Sequence, residues 1–278
     1  MLRLFLYRQK IALVKLLLKY LNKQGYTFER QSNQRELANF LCGLKPKKTH
    51  HQLIRIGSEG DGGYVIPDDL AGINFCFSPG GGPSIAFEEA LCKLGISCFL
   101  ADASIDKPSI DNSLIYFDSI FISSVLTPGS SLKEWIESKN IGSEDLLLQM
   151  DIEGSEWDVL INTDEETLNQ FRIIAMEIHG MDILYSTFGL NIAKYVFSKL
   201  LKNHSIVHLH VNNYAPFIIQ NGIRIPPVLE ITLLRNDRFG AIIEPIEIAN
   251  LPHPLDSDNC TWKPHMPFPN EWFYENEG

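Results

Sequence analysis

The sequence predicts an α/β fold: a doubly wound, mainly parallel sheet with an antiparallel C-terminal hairpin and added N-terminal helices. Three observations carry this. Apolar runs of strand length recur at 53–57, 73–77, 96–100, 114–121, 145–150, 173–178, 205–211 and 228–234. Stretches of helical length lie between many of them, at 84–94, 130–138, 155–161 and 191–202, and strands that alternate with helices imply parallel crossover units. The last two apolar runs lack a clear helix between them, which implies that they pair as a hairpin.

In chain order, residues 2–22 read as one amphipathic helix, with Leu6, Leu13, Leu17 and Leu21 near one face, Lys15 and Lys19 elsewhere, and Gly25 as its stop. Residues 33–43 form a second helix ended by Gly43 and Pro46, and a basic connector, Lys45 to His51, follows. Leu53 to Gly57 is a strand, and Glu59 to Pro67 reads as a glycine-rich turn. Ile73 to Phe77 is the first core strand. It runs into Ser78-Pro79-Gly80-Gly81-Gly82 and then a helix from about Ser84. The next strand closes on Asp102. Ser130 or Ser131 caps the following helix, with Glu134 in its first turn. A buried strand at 145–150 delivers Asp151, and Ser155 is placed to cap the helix beyond. Residues 251–278, rich in proline and aromatics, read as an extended tail on the domain. The expected organisation is a basic helical segment 1–50, an α/β domain 51–250 and a packed tail 251–278. The sheet is Rossmann-like and seven-stranded.

Composition narrows the classes. Of 278 residues, 45% are hydrophobic and 21% charged, as in ordinary globular proteins. The net charge of −10 is uneven: residues 1–60 hold 12 Lys/Arg against 3 Asp/Glu, and the rest hold 12 against 31. So acidic a body argues against a nucleic-acid partner, which needs clustered cations for phosphate. The five cysteines form no C-x-x-C pair, and Cys76 and Cys98 sit in apolar runs; free thiols in a reducing cytoplasm are expected. Charges interrupt the leucine-rich start every few residues, so neither a spanning helix nor a secretory signal is expected there.

The turn Ser78 to Gly82 lies where open α/β sheets bind ligands. Glycines let the backbone turn sharply and approach a ligand, although a plain helix-entry turn would read the same way. Asp102, about twenty residues on, suits two ribose hydroxyls. A dinucleotide fingerprint would want glycine where Ile85 stands. A phosphate-binding P-loop would want Gly-Lys-Ser/Thr, but Gly82 is followed by Pro83-Ser84. An adenosine cofactor without a phosphate fits what remains.

The stretch Asp151-Ile152-Glu153-Gly154-Ser155-Glu156-Trp157 places three carboxylates at one strand end, and Glu177 and His179 arrive at the same edge one strand later. Such a group suggests acid–base chemistry or a divalent cation. Glu156 reads equally well as a helix N-terminal acid. His208, His210 and Asn212 reach a similar level and read more readily as structural.

These residues resemble the FkbM family of S-adenosylmethionine (SAM)-dependent methyltransferases. Asp151 to Trp157 is similar to the family's Asp-x-Glu-Gly-x-Glu signature, supported by Glu177-Ile178-His179, Asp61-Gly62-Gly63-Tyr64, the turn from Ser78 to Glu88, and the tail Pro254 to Asn259. The resemblance spans roughly residues 51–260. It implies O-methylation, often of a sugar hydroxyl in a glycan, glycolipid or natural product, as in polysaccharide biosynthesis. Ser78, Gly80, Gly81, Gly82, Asp102, Asp61, Gly63 and Tyr64 are the implied cofactor contacts, and Asp151 or His179 the implied base. A divalent ion such as Mg²⁺ would take Asp151, Glu177 and His179. One departure stands out: many methyltransferases end the first strand on an acid, where this chain has Cys76-Phe77-Ser78. Two other readings stay open, an NAD- or nucleotide-sugar-dependent oxidoreductase and a catalytically inactive Rossmann-like binding module.

The expected partners are a small-molecule or glycan/glycolipid acceptor and no nucleic acid. The N-terminal helix has two readings: packing on the body or on a second subunit in a homo-oligomer, the commoner fate of a leucine-rich helix, or contact with an anionic membrane at its cytoplasmic face.

Overall fold

A computed structural model describes residues 2–25, 28–80, 82, 84–106, 112–126, 128–142, 144–240, 244, 246–247 and 250–273. The helices are α1 (Leu2–Lys23), α2 (Gln34–Gly43), α3 (Ala86–Lys93), α4 (Leu132–Ser138), α5 (Glu156–Asn162), α6 (Glu165–Asn169) and α7 (Thr187–Asn203). The strands are β1 (Leu53–Gly57), β2 (Gly63–Pro67), β3 (Phe75–Pro79), β4 (Ser97–Ala101), β5 (Ile115–Asp118), β6 (Phe121–Ile122), β7 (Gly129–Ser130), β8 (Leu146–Met150), β9 (Phe171–His179), β10 (His204–Val211), β11 (Ile218–Gln220), β12 (Ile223–Ile225) and β13 (Val228–Arg235).

Seven strands form the main sheet in the order β10-β13-β9-β8-β3-β4-β5. From β3 the chain winds outward through β4 to β5, then returns to the other side of β3 as β8 and winds on to β9, all in parallel. The winding therefore reverses between β3 and β8, and the loops leaving their carboxyl ends diverge to open a crevice. The expected hairpin is present, and β13 runs antiparallel to both β9 and β10, lying between them.

Alternation along the strands divides the core between the two faces of the sheet. On one face Phe77, Leu146, Leu148, Met150 and Phe171 pack with Trp135, Leu160 and Phe197. On the other, Cys76, Leu147, Ile173 and Ala175 pack with Phe87 and Leu91 of α3 and with Tyr64 and Ile66 of β2. Gln149 falls on this second face and is buried, a polar residue inside an apolar strand.

Local signals place several helix starts. Asn33 caps α2 by accepting from Glu36 N at 3.1 Å. Ser131 and Glu134 form a reciprocal capping box on α4. Two expectations change. The segment Glu59 to Pro67 is a turn only as far as Gly62; Gly63–Pro67 is a strand paired antiparallel with β1, and all five of its residues are buried. The hairpin gains that burial by lying over the second face of the sheet, where Thr232 Oγ1 donates to Val65 O. Ser155 does not cap α5: it has helical backbone angles and no side-chain capping bond.

Leu37, Leu41 and Leu44 of the α2 region join the first core, as do Phe268 and Trp272 of the tail. In α1 the side chains described from residue 13 to 20 are exposed, with Leu13 70% and Leu16 67% accessible. No helix among the described residues is long and apolar enough to cross a membrane.

Candidate active site

The crevice beyond β3, β4 and β8 is a cavity of about 520 Å³, within the roughly 300–1,000 Å³ of small-molecule sites. It collects Asp61, Tyr64, Gly80, Gly82, Asp102 and Asp151 from distant parts of the chain. Gly81 lies outside the described residues. Ser78 and Gly63 do not line the cavity. Ser78 is buried beneath it, and Gly63 answers a packing demand, because a Cβ there would overlap the Ser58 carbonyl oxygen.

Gly80 has a φ of +89°, and a Cβ would overlap the Asp151 carbonyl oxygen. Asp151 N also donates to Pro79 O at 3.2 Å. Glycine is thus required where the turn after β3 crosses the end of β8, so that the cofactor-side turn and the acid-rich turn form one unit. Gly82 instead has open space where a side chain would stand, as a close ligand approach needs. Asp102 lies at the end of β4, and its Oδ1 accepts from Ser104 N at 2.7 Å and Ser104 Oγ at 2.6 Å. Tyr64 packs edge-on against Phe87 at 5.5 Å, and its hydroxyl accepts from Gln149 Nε2 at 3.2 Å.

The acid-rich turn is organised by Glu156, which is fully buried. It accepts from Ile152 N at 3.0 Å, from Gly154 N at 3.1 Å and from His179 Nδ1 at 3.2 Å. Burial alone would raise the Glu156 pKa, but the hydrogen bond and charge of His179 and the backbone donors lower it below the usual carboxylate value. The other ring nitrogen, His179 Nε2, lies 3.4 Å from the exposed Glu153 carboxylate. Burial works against a charged His179, yet Glu156, Asp151 and Glu153 together raise its pKa. Protonation of the imidazole, which lies between carboxylates, is therefore favoured over that of a free histidine.

Asp151 differs from both. Its Oδ1 is buried without a hydrogen-bond partner. Burial, opposed by His179 but reinforced by Glu153, Glu156 and Asp61, pushes its pKa up to about 7. Asp151, Glu156 and His179 each bring one donor atom within 4.8 Å of the others, a set that could hold an ion. Glu156 occupies the place in this trio that the sequence expectation assigned to Glu177. The Glu177 carboxylate instead accepts from Asn212 and stands opposite Glu230 in the strand register. Burial, then Asp151 and Glu230, push its pKa up to about 10, so it is neutral.

The tail closes the far side of this edge. His208 Nε2 lies 2.8 Å from Asp256 Oδ1, and His210 Nδ1 lies 3.5 Å from Oδ2, with all three side chains buried. Asn259 Nδ2 donates to Glu230 Oε1 at 2.8 Å.

Sequence reading passed over Gln149, gave Glu88 no role of its own and left Glu156 undecided. Gln149 had a usable signal, as the one polar residue in Leu146 to Met150. Glu156 stood in the acid-rich signature, but nothing there named its partner, since His179 is 23 residues away.

Among solved structures, a Methanococcus jannaschii fibrillarin pre-rRNA processing protein is similar at 10% identity and TM-score 0.39, over 67% of this chain and 83% of its own. A chain of a fibrillarin/Nop5p complex is similar at 14% identity and TM-score 0.38, over 60% and 74%. N-methyltransferase NodS from Bradyrhizobium japonicum is similar at 11% identity and TM-score 0.31, over 59% and 86%. These likenesses are too distant to bear on chemistry. No curated protein matches the sequence. The family profile of the methyltransferase FkbM domain matches residues 23–188, more than half of the chain, and the chain belongs to that family.

Proposed function

We propose that this member of a SAM-dependent methyltransferase family is an O-methyltransferase whose acceptor is a hydroxyl of a sugar, in a glycan, glycolipid or natural product. The supporting observation is Asp151: a carboxylate on the cavity wall, with a buried oxygen free of hydrogen bonds and a pKa near 7. A base poised near neutrality is what removal of a hydroxyl proton calls for.

When bound, SAM supplies a methyl carbon on a sulfonium that needs only an aligned nucleophile. The chain's own part is to seat the acceptor in line and to take its proton. Asp102, on the cavity wall, would take the ribose hydroxyls, and the open space at Gly82 would let the backbone approach the cofactor. Asp151 takes the proton. His179, whose protonation Glu156 and Glu153 favour, in turn favours the ionised form of Asp151 and acts as a positioning residue rather than a second base.

A divalent ion would use the same donor set and would lower the cost of ionising the acceptor hydroxyl. The Glu156 oxygens are already engaged by backbone donors and His179, so of the trio only Asp151 has an oxygen without a partner to offer an ion.

The test is calorimetry of the purified chain with SAM and with NAD, followed by methyl transfer to a panel of sugar acceptors. Binding of SAM and not NAD, with transfer to a hydroxyl, is expected. Binding of NAD alone would overturn the proposal.

A further inference from the structure

Glu88, in the first turn of α3, is 3% exposed. Its Oε1 takes the Ser78 hydroxyl, while its Oε2 is buried with no hydrogen-bond partner. An unsatisfied buried carboxyl oxygen is costly, so packing alone would favour an apolar residue here. Yet Glu88 lines the 520 Å³ cavity. Its neighbours there are rich in acceptors. Ser78 Oγ lies 2.5 Å from Gln149 Oε1, and Gln149 reaches on to the Tyr64 hydroxyl. Among the described residues that line the cavity there is no Lys or Arg to complete the set. A donor-only cation carried by a ligand would do so.

SAM brings one such group besides its sulfonium, the α-ammonium of its methionine half. We propose that Glu88 is the acid that binds this ammonium, supplying from helix α3 the carboxylate that the end of strand β3, at Ser78, lacks. The inference rests on the SAM reading above. The Ser78 hydroxyl has one proton to give, and by donating it to Glu88 Oε1 it holds the carboxyl in place at the cavity. Burial raises the Glu88 pKa and favours the neutral acid while the cavity is empty; an arriving ammonium makes ionisation favourable.

The experiment is calorimetry of wild type, Glu88→Gln and Glu88→Asp with two ligands, SAM and 5′-methylthioadenosine, which keeps the adenosine and lacks the amino-acid part. Glutamine copies the neutral acid in shape, so Glu88→Gln should keep the wild-type melting temperature. Its SAM affinity should fall roughly 10- to 100-fold, the worth of a hydrogen bond to a charged group, with methylthioadenosine affinity unchanged. Glu88→Asp should recover part of the loss. Wild-type SAM affinity in Glu88→Gln, or an equal loss for both ligands, would overturn the inference. Failure of the SAM reading itself would show separately, as wild type binding neither ligand.

Discussion

Replacing Glu156 by glutamine should destabilise the protein strongly, although only one oxygen changes. Both carboxylate oxygens accept hydrogen bonds: Oε1 from Ile152 N and His179 Nδ1, and both from Gly154 N, with Oε2 also 3.4 Å from His179 N. A carboxamide with its NH₂ at the Oε1 position orphans Ile152 N and His179 Nδ1, and with it at the Oε2 position orphans His179 N, at about 1–3 kcal/mol per donor. It also removes the buried counter-charge of His179. Breaking such a pair typically costs about 3–5 kcal/mol, and about 4 kcal/mol is expected here. In a chain of 278 residues that lowers the melting temperature by roughly 8 °C or more. The pH dependence has a definite sign. The lowered pKa of Glu156 contributes stability above its unfolded value near 4, lost as pH falls through the folded value. The raised pKa of His179 contributes stability below its unfolded value near 6.5, lost as pH rises through the folded value. The gap between wild type and variant should therefore be widest between about pH 4.5 and 6.5. Urea denaturation across this range, with chelator present, measures it. A gap under about 1 kcal/mol at pH 6 would refute the view that Glu156 holds the turn.

Three further outcomes are expected. Asp151→Asn should fold at least as stably as wild type near pH 8, because the native state disfavours the ionised carboxylate, while turnover falls roughly 100-fold or more; retained turnover would remove Asp151 from the base role. Asp256→Asn should leave His208 and His210 without their acid and cost about 3–5 kcal/mol near pH 6. Because His210 is pushed up to about 9, that cost should shrink as pH rises through 9; proteolytic release of residues 251–273 reports the loosened tail. Finally, the exposed Leu13, Leu16 and Leu17 beside Lys15, Lys19 and Lys23 suit an anionic lipid surface, so deletion of residues 1–24 should abolish flotation with acidic vesicles. Equal flotation of both forms would exclude that role for α1.

The sequence carried whatever depends on neighbours in the chain. Apolar periodicity located the seven strands of the sheet, and the serines ahead of Glu134 located the start of α4, which Ser131 caps. The turn after β3 and the acids beyond β8 were visible because each is a continuous stretch. The strand β2 was missed because glycines dominate its start, and only the sheet beneath explains why Tyr64, Val65 and Ile66 are buried. Tertiary structure alone decided the pairings: Glu156 with His179, Ser78 with Gln149 across 71 residues, and His208 with Asp256. It also decided which acids are charged. Asp151, Glu156, Glu177 and Glu88 have the same chemistry in the sequence. Burial, backbone donors and a neighbouring imidazole hold Glu156 ionised, Glu177 neutral and Asp151 balanced near pH 7. The physical reason is that a carboxylate's charge state depends on desolvation and on the groups within a few ångströms, and strand order, not chain order, sets which groups those are.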